Sequence, residues 1–187
     1  MRQADFPGQE ELQSPVLHDK AGEEFAMHLS QQREITGYRG YSLLQSTRPQ
    51  TIGYSLSDSP VAQASWIYEK YHAWTHHPQS NSVESILSKD EMLDTITLYW
   101  LSNSGASSAR FYWENKPDTT AWPIDKSVPV GVSWFPGDTS FAPREWCERY
   151  WGRIVYWNEK IERGGHFAAW EVPEIFVREV REWRRRI

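Results

Sequence analysis

The chain has 187 residues, of which 39% are hydrophobic and 24% charged, with a formal net charge of −5 and a pI near 5.7. This is globular composition and excludes disorder throughout. The acidic balance argues against a general nucleic-acid binder, and the absence of any run of 18 apolar residues argues against a membrane span.

The polar opening MRQADFPGQEELQSP has no apolar secretory core, so a soluble, cytoplasmic protein is the expectation. A helix is predicted over Leu17 to Leu29 through Ala21, Phe25 and Leu29. A second begins at Asp58-Ser59-Pro60, where a polar cap precedes a first-turn proline, and runs to about Trp74 with Ala64, Ile67, Tyr68 and Tyr71 on one side. His76-His77-Pro78 ends it. A third opens at the capping box Ser88-Lys89-Asp90-Glu91, carries Met92, Leu93, Ile96, Tyr99 and Trp100 at helical spacing, and is closed by Gly105. Ser107 to Asn115 reads as another short helix.

The pattern then changes. Val128 to Phe135 is an apolar, β-branched run ending at a Pro-Gly turn and reads as a buried strand. Pro143 to Tyr150 reads as a helix, Arg153 to Trp157 as the next strand, and Pro173 to Arg185 as an amphipathic helix with Ile175, Phe176, Val180 and Trp183 on one face. Strand, helix, strand, helix is a crossover unit, so the two strands should be parallel. Cys147, the single cysteine, reads as a buried structural thiol. The eleven tryptophans all lie between Trp66 and Trp183, which suits core packing with an aromatic-lined apolar pocket.

In parallel sheets, functional groups collect beyond the carboxyl ends of the strands. Asp138 follows the first strand in Phe135-Pro136-Gly137-Asp138. His166 follows the second in Arg163-Gly164-Gly165-His166. A carboxylate fixes the tautomer of an imidazole and stabilises its cation, which lets the histidine activate water. Taken singly, a histidine before a terminal helix is usually structural and an aspartate after Pro-Gly is usually a turn residue. Their order and strand context together favour an acid–histidine pair. His72, His76 and His77 include an i, i+4 pair, but nothing nearby supplies the third ligand of a zinc site; they read as a polar helix terminus, and no metal or cofactor is expected.

Four collinear segments carry a resemblance: Gln45-Ser46-Thr47-Arg48-Pro49-Gln50-Thr51 on to Asp58-Ser59-Pro60-Val61; Trp66-Ile67-Tyr68-Glu69-Lys70; Leu98-Tyr99-Trp100 on to Arg110-Phe111-Tyr112-Trp113-Glu114-Asn115; and Arg163 to Glu174. Over roughly residues 36 to 187 the chain resembles the C-terminal half of an epoxide hydrolase of the microsomal type, in the α/β-hydrolase superfamily. The resemblance implies a partial α/β-hydrolase fold: a polar leader over 1–35, a helical lid over 36–122, and the last two parallel strands and terminal helices of the core over 123–187. It implies that His166 activates water, that Asp138 is its acid partner, and that Tyr41 and Tyr112 are the lid tyrosines that hydrogen-bond the epoxide oxygen. Phenols suit that task, because ring opening builds negative charge on oxygen and a phenol with a pKa near ~10 can stabilise or protonate an alkoxide.

The resemblance also implies a nucleophilic aspartate on a strand-to-helix elbow and a His-Gly-Trp-Pro type loop upstream of the lid. Neither motif occurs in the 187 residues, and no Gly-x-Ser-x-Gly or Gly-x-Asp-x-Gly elbow is present. The expected function is conversion of a small apolar epoxide to a vicinal diol, with this chain inactive alone. Two apolar strands need neighbours, so the chain is expected to expose apolar surface and to be unstable, oligomeric or complemented by an N-terminal half. The alternatives are a truncated pseudo-enzyme that binds a ligand or partner, and another α/β-hydrolase activity.

Overall fold

A computed structural model describes residues 40–77, 82–115, 125–139 and 141–187. The leader and the helix expected over Leu17 to Leu29 lie outside the described residues. Among the described residues the first helices are α1 (Gly40–Thr47), α2 (Pro49–Asp58), α3 (Pro60–Trp74), α4 (Lys89–Leu101) and α5 (Gly105–Glu114), with a 3-10 turn at Val83–Ser85 before α4. A second segment follows: β1 (Val130–Ser133), α6 (Arg144–Trp151), β2 (Ile154–Asn158), the short α7 (Ala168–Glu171) and α8 (Pro173–Arg184).

The helix starts have local causes. Pro49 and Pro60 stand in the first turns of α2 and α3, where a missing N–H costs nothing. The Ser59 hydroxyl accepts the Ala62 N–H at 3.3 Å. At α4 both halves of the capping box form, with Ser88 bound to the Glu91 N–H and Glu91 to the Ser88 N–H. Gly105 does not close α4, as the sequence reading has it. Asn103, with φ of 51°, makes the left-handed turn there, and Gly105 opens α5. The glycine is needed for contact: a Cβ on it would stand 2.6 Å from the Leu56 Cβ, just as one on Gly53 would stand 2.7 Å from the Ala106 Cβ. Small residues on both sides let α2 and α5 pack closely.

The two strands are parallel, with Gly131, Val132 and Ser133 opposite Tyr156, Trp157 and Asn158, and an irregularity after Val130. Helix α6 is the crossover, ended by Gly152 at φ of 83°. Cys147 on α6 is 3% exposed, and burial pushes its thiol pKa up. Among the described residues, buried side chains gather in two clusters. Tyr71, Val83, Leu87 and Met92 of the helical layer pack with Phe167 and Trp170 of the second segment, so one cluster spans both. Ile161, Ala168, Val172 and Ile175 pack under Phe135.

Helix α8 departs from its predicted face. Ile175 is buried, but Phe176 and Val180 are 38% and 44% exposed, and the other buried residue is Glu179. The carboxylate turns inward because the strands supply donors. Its Oε2 accepts from Tyr156 Oη at 2.8 Å, Asn158 Nδ2 at 2.9 Å and Ser133 Oγ at 3.2 Å. Phe176, Val180 and Trp183 then line a groove against Gly131 and Phe135. Apolar surface is open elsewhere too: Leu101 is 78% exposed and Val61 71%. Among the described residues, no helix is long and apolar enough to cross a membrane.

Burial pushes the Glu179 carboxyl pKa up, but the hydrogen bonds from Asn158, Tyr156 and Ser133 outweigh it and hold the pKa below the usual value. A depressed carboxyl contributes stability above its unfolded pKa and loses it as pH falls through the folded value. Glu179→Gln is therefore expected to lower the unfolding free energy at pH 7 by about 1–3 kcal/mol. In urea melts the gap from the parent should shrink as the pH drops below about 4.

Candidate active site

Beyond the ends of β1 and β2 the two loops meet again. Gly137 and Gly165 form a further parallel bridge, and the Gly137 N–H donates to the Gly164 carbonyl at 2.9 Å. The next residue on each side is Asp138 and His166. Their side chains meet: His166 Nδ1 lies 2.9 Å from Asp138 Oδ1. The same carboxylate oxygen accepts the Thr139 backbone N–H at 2.6 Å, and the Thr139 hydroxyl lies 3.3 Å from it and 3.2 Å from Nδ1. Burial pushes the Asp138 pKa up, but hydrogen bonds from His166 and the Thr139 N–H outweigh it and hold it below the ordinary carboxylate value. An ionised Asp138 selects the tautomer with hydrogen on Nδ1, which leaves Nε2 as the basic nitrogen. The pair is reachable, at 38% and 28% side-chain exposure.

The helical layer crosses this loop pair. A Cβ on Gly165 would stand 2.6 Å from the Trp74 carbonyl oxygen and 2.7 Å from the His76 nitrogen, and one on Gly137 would stand 2.5 Å from the His76 Cβ. The two glycines are the space into which the end of α3 descends. Three hydrogen bonds hold it there. The His166 N–H donates to the Trp74 carbonyl at 3.0 Å, the Gly164 N–H to His76 Nδ1 at 3.1 Å, and the His76 N–H to Glu171 Oε2 at 2.9 Å. The other oxygen of Glu171 accepts the Phe167 N–H at 2.9 Å, and this carboxylate is 8% exposed. Glu171 thus ties the helical layer to the residue after His166.

Tyr41 on α1 and Tyr112 on α5 also meet, with ring centroids 5.9 Å apart. Both line a cavity of about 230 Å³ together with Trp66, Lys70, Trp74 and Phe167. The Trp74 ring is 5.3 Å from Tyr41 on one side and 5.1 Å from His166 on the other. Phe167 is a wall both of this cavity and of the hollow onto which Asp138 and His166 open. The four residues singled out in the sequence therefore form two close pairs, joined by one tryptophan ring.

No local sequence signal marks Thr139, Glu171 or His76 as part of this site. Glu171 stands inside the Gly-Gly-His segment, yet a carboxylate on a short helix signals nothing about burial. His76 reads from the sequence as a helix terminus; its ring is taken up by the Gly164 N–H. Among the described residues, no group of three or more His, Cys, Asp or Glu is placed to hold a metal ion.

No protein-family model matches the chain. It is 52% identical over 149 residues to a putative epoxide hydrolase of Stigmatella aurantiaca, covering 79% of this chain and 33% of that protein. It is 36% identical over 152 residues to epoxide hydrolase 1 of Sus scrofa, covering 77% of this chain and 33% of that protein. Among solved structures, the Aspergillus niger epoxide hydrolase superposes with a TM-score of 0.70 at 30% identity, over 92% of this chain and 41% of that one. The juvenile hormone epoxide hydrolase of the silkworm Bombyx mori gives 0.69 at 29% identity, over 81% and 41%. The chain is a homologue of the microsomal-type epoxide hydrolases, spanning about a third of the length of the curated relatives it matches, in their C-terminal portion. Its fold is a partial α/β-hydrolase fold, mostly helical with two parallel strands.

Glu171→Gln puts an amide N–H₂ against one of two backbone N–H groups that now share a carboxylate. It should cost about 1–3 kcal/mol in urea unfolding, and amide exchange at His76 and Phe167 should accelerate while that of β1 and β2 changes little.

Proposed function

We propose that this chain supplies the epoxide-holding lid and the water-activating end of an epoxide hydrolase acting on small apolar epoxides. Support comes from the homology, from the 2.9 Å contact of His166 with Asp138, and from the tyrosine pair lining a cavity that shares a wall with that contact. The contact at the strand ends carries the reading.

In the proposed reaction an aspartate from chain outside these 187 residues, or from a second polypeptide, attacks an epoxide carbon. The carbon–oxygen bond breaks and the electron pair goes to the ring oxygen, where the Tyr41 and Tyr112 hydroxyls stabilise and protonate it. The product of this half is an ester. His166 Nε2 then takes a proton from water as the water oxygen attacks the ester carbonyl, and Asp138 stabilises the imidazolium. Collapse breaks the ester carbon–oxygen bond, the leaving oxygen takes the proton from the His166 imidazolium to release the diol, and the proton of the new carboxyl group returns to the phenolate, restoring the carboxylate. Phenols suit the first half and imidazole the second, because only the second needs a base near neutral pH. Conversion of an alkylating epoxide to a diol is a detoxifying reaction.

A second reading, a non-catalytic fragment that binds a partner chain, draws on the exposed apolar residues and on a sheet of only two described strands. The two separate on one assay. The chain is combined with the aspartate-bearing portion, fused or separate, and given styrene oxide. Turnover to diol is the expected result, and its absence from an assembled complex would sink the enzymatic reading. His166→Gln should cut turnover by about 10³-fold or more while the alkylated aspartate ester accumulates as a mass adduct. The double change Tyr41→Phe with Tyr112→Phe should abolish the adduct itself.

A further inference from the structure

Lys70 is the least expected member of the tyrosine cavity. It lies on α3, its side chain is 17% exposed, and its ammonium is packed among three aromatic faces. Nζ lies 4.7 Å from the ring centroid of Tyr41, 5.5 Å from Trp74 and 5.6 Å from Trp66. The nearest of the three is the phenol assigned above to the epoxide oxygen. Glu69, its sequence neighbour, pairs with Nζ at 2.8 Å from a carboxylate that is 61% exposed. The other titratable groups lining the cavity are Tyr71, Tyr99 and Tyr112.

A cation over an aromatic face is attracted by the negative charge of that face, and the attraction strengthens as the ring gains electron density. A phenol gains density when its O–H donates to an oxyanion, and more when it gives up the proton. An ammonium over the Tyr41 ring therefore favours the state in which the hydroxyl has transferred charge, over the state before ring opening. That is stabilisation that grows toward the transition state. The same contact fixes the ring against Trp74, which in turn lies edge-on to His166. A solvated salt bridge to Glu69 would not require the ammonium to sit over three rings.

We propose that Lys70 is a positioning residue for Tyr41, whose ammonium holds the ring in place and stabilises the negative charge it takes up when its hydroxyl donates to the epoxide oxygen. The inference rests on the epoxide reading for its catalytic meaning but not for its test. In the 187-residue chain carrying ¹³Cζ-labelled tyrosine, the Tyr41 resonance is assigned with Tyr41→Phe and titrated. Lys70→Met keeps the apolar stem and removes the charge, and should move the Tyr41 titration midpoint up by about half a pH unit. Lys70→Arg keeps a cation and should leave the midpoint at or below that of the parent. An unmoved midpoint in Lys70→Met, or the same rise in Lys70→Arg, overturns the proposal. Should Lys70→Met fail to fold, Lys70→Gln is read in the same way.

The complemented enzyme gives a second readout. Lys70→Met should slow formation of the alkylated aspartate about tenfold and leave hydrolysis of the ester unchanged, whereas an equal loss in both steps would mark a merely structural role. If Tyr41→Phe leaves ester formation intact, the epoxide reading of Tyr41 falls while the Lys70 titration result stands on its own.

Discussion

The parallel bridge between Gly137 and Gly165 is the constraint on which the site depends. Backbone groups paired in parallel set their side chains side by side, so this bridge beyond β1 and β2 brings the next residues, Asp138 and His166, into contact. A one-residue slip in either loop would send one of the two side chains to the opposite face. The register is guarded from above, because both glycines lack the Cβ that would strike the backbone at the end of α3. Glycine is required at these positions by the approach of Trp74 and His76, and neither residue has the positive φ that would call for it on conformational grounds; that falls to Gly164, at φ of 114°.

The descent of α3 onto the loops has a second effect. The helical layer and the strand segment share a core cluster, a buried carboxylate and a tryptophan ring, so the tyrosine pair and the histidine–aspartate pair are placed by one packing arrangement. Both buried carboxylates that organise the region act as acceptors of several donors. Glu171 collects two backbone N–H groups, and Glu179 collects three side-chain donors from the strands. A carboxylate buried with several donors is far less costly than one buried bare, since each donor replaces part of its lost hydration.

Much of this was legible in the sequence where a local signal existed. Ser59-Pro60 and Ser88 to Glu91 mark helix starts that form as read, and the strand–helix–strand order gives the parallel pairing. The meeting of Asp138 and His166 followed from the same order. Signals failed where the deciding partner is distant in the chain. Gly105 looked like a helix stop and is a contact with Leu56. Glu179 is not among the apolar residues read on one face of α8, and its three strand donors lie at least 21 residues away. Glu171 and His76 are 95 residues apart, and nothing in either neighbourhood announces the other. Helices α1 and α2 were covered only by the resemblance, because residues 40–58 mix polar and apolar positions without a clean stripe.

The division of labour between the two segments follows from what each can hold rigid. Asp138 and His166 stand on loops tied to each other by the Gly137–Gly165 bridge just beyond the strand ends, so the backbone sets how far apart they lie. Tyr41 and Tyr112 stand on separate helices, α1 and α5, that pack on each other and on α2. Helix packing tolerates small sliding motions that a parallel ladder does not. In the proposed reaction, a pair of donors that follows an oxygen as its bond to carbon lengthens is better carried by helices. The base of that proposal, which meets water at one fixed point, is better carried by loops tied together at the strand ends. Trp74, in contact with a ring from each pair, is where these two mechanical regimes meet, and its backbone carbonyl accepting the His166 N–H keeps them in register.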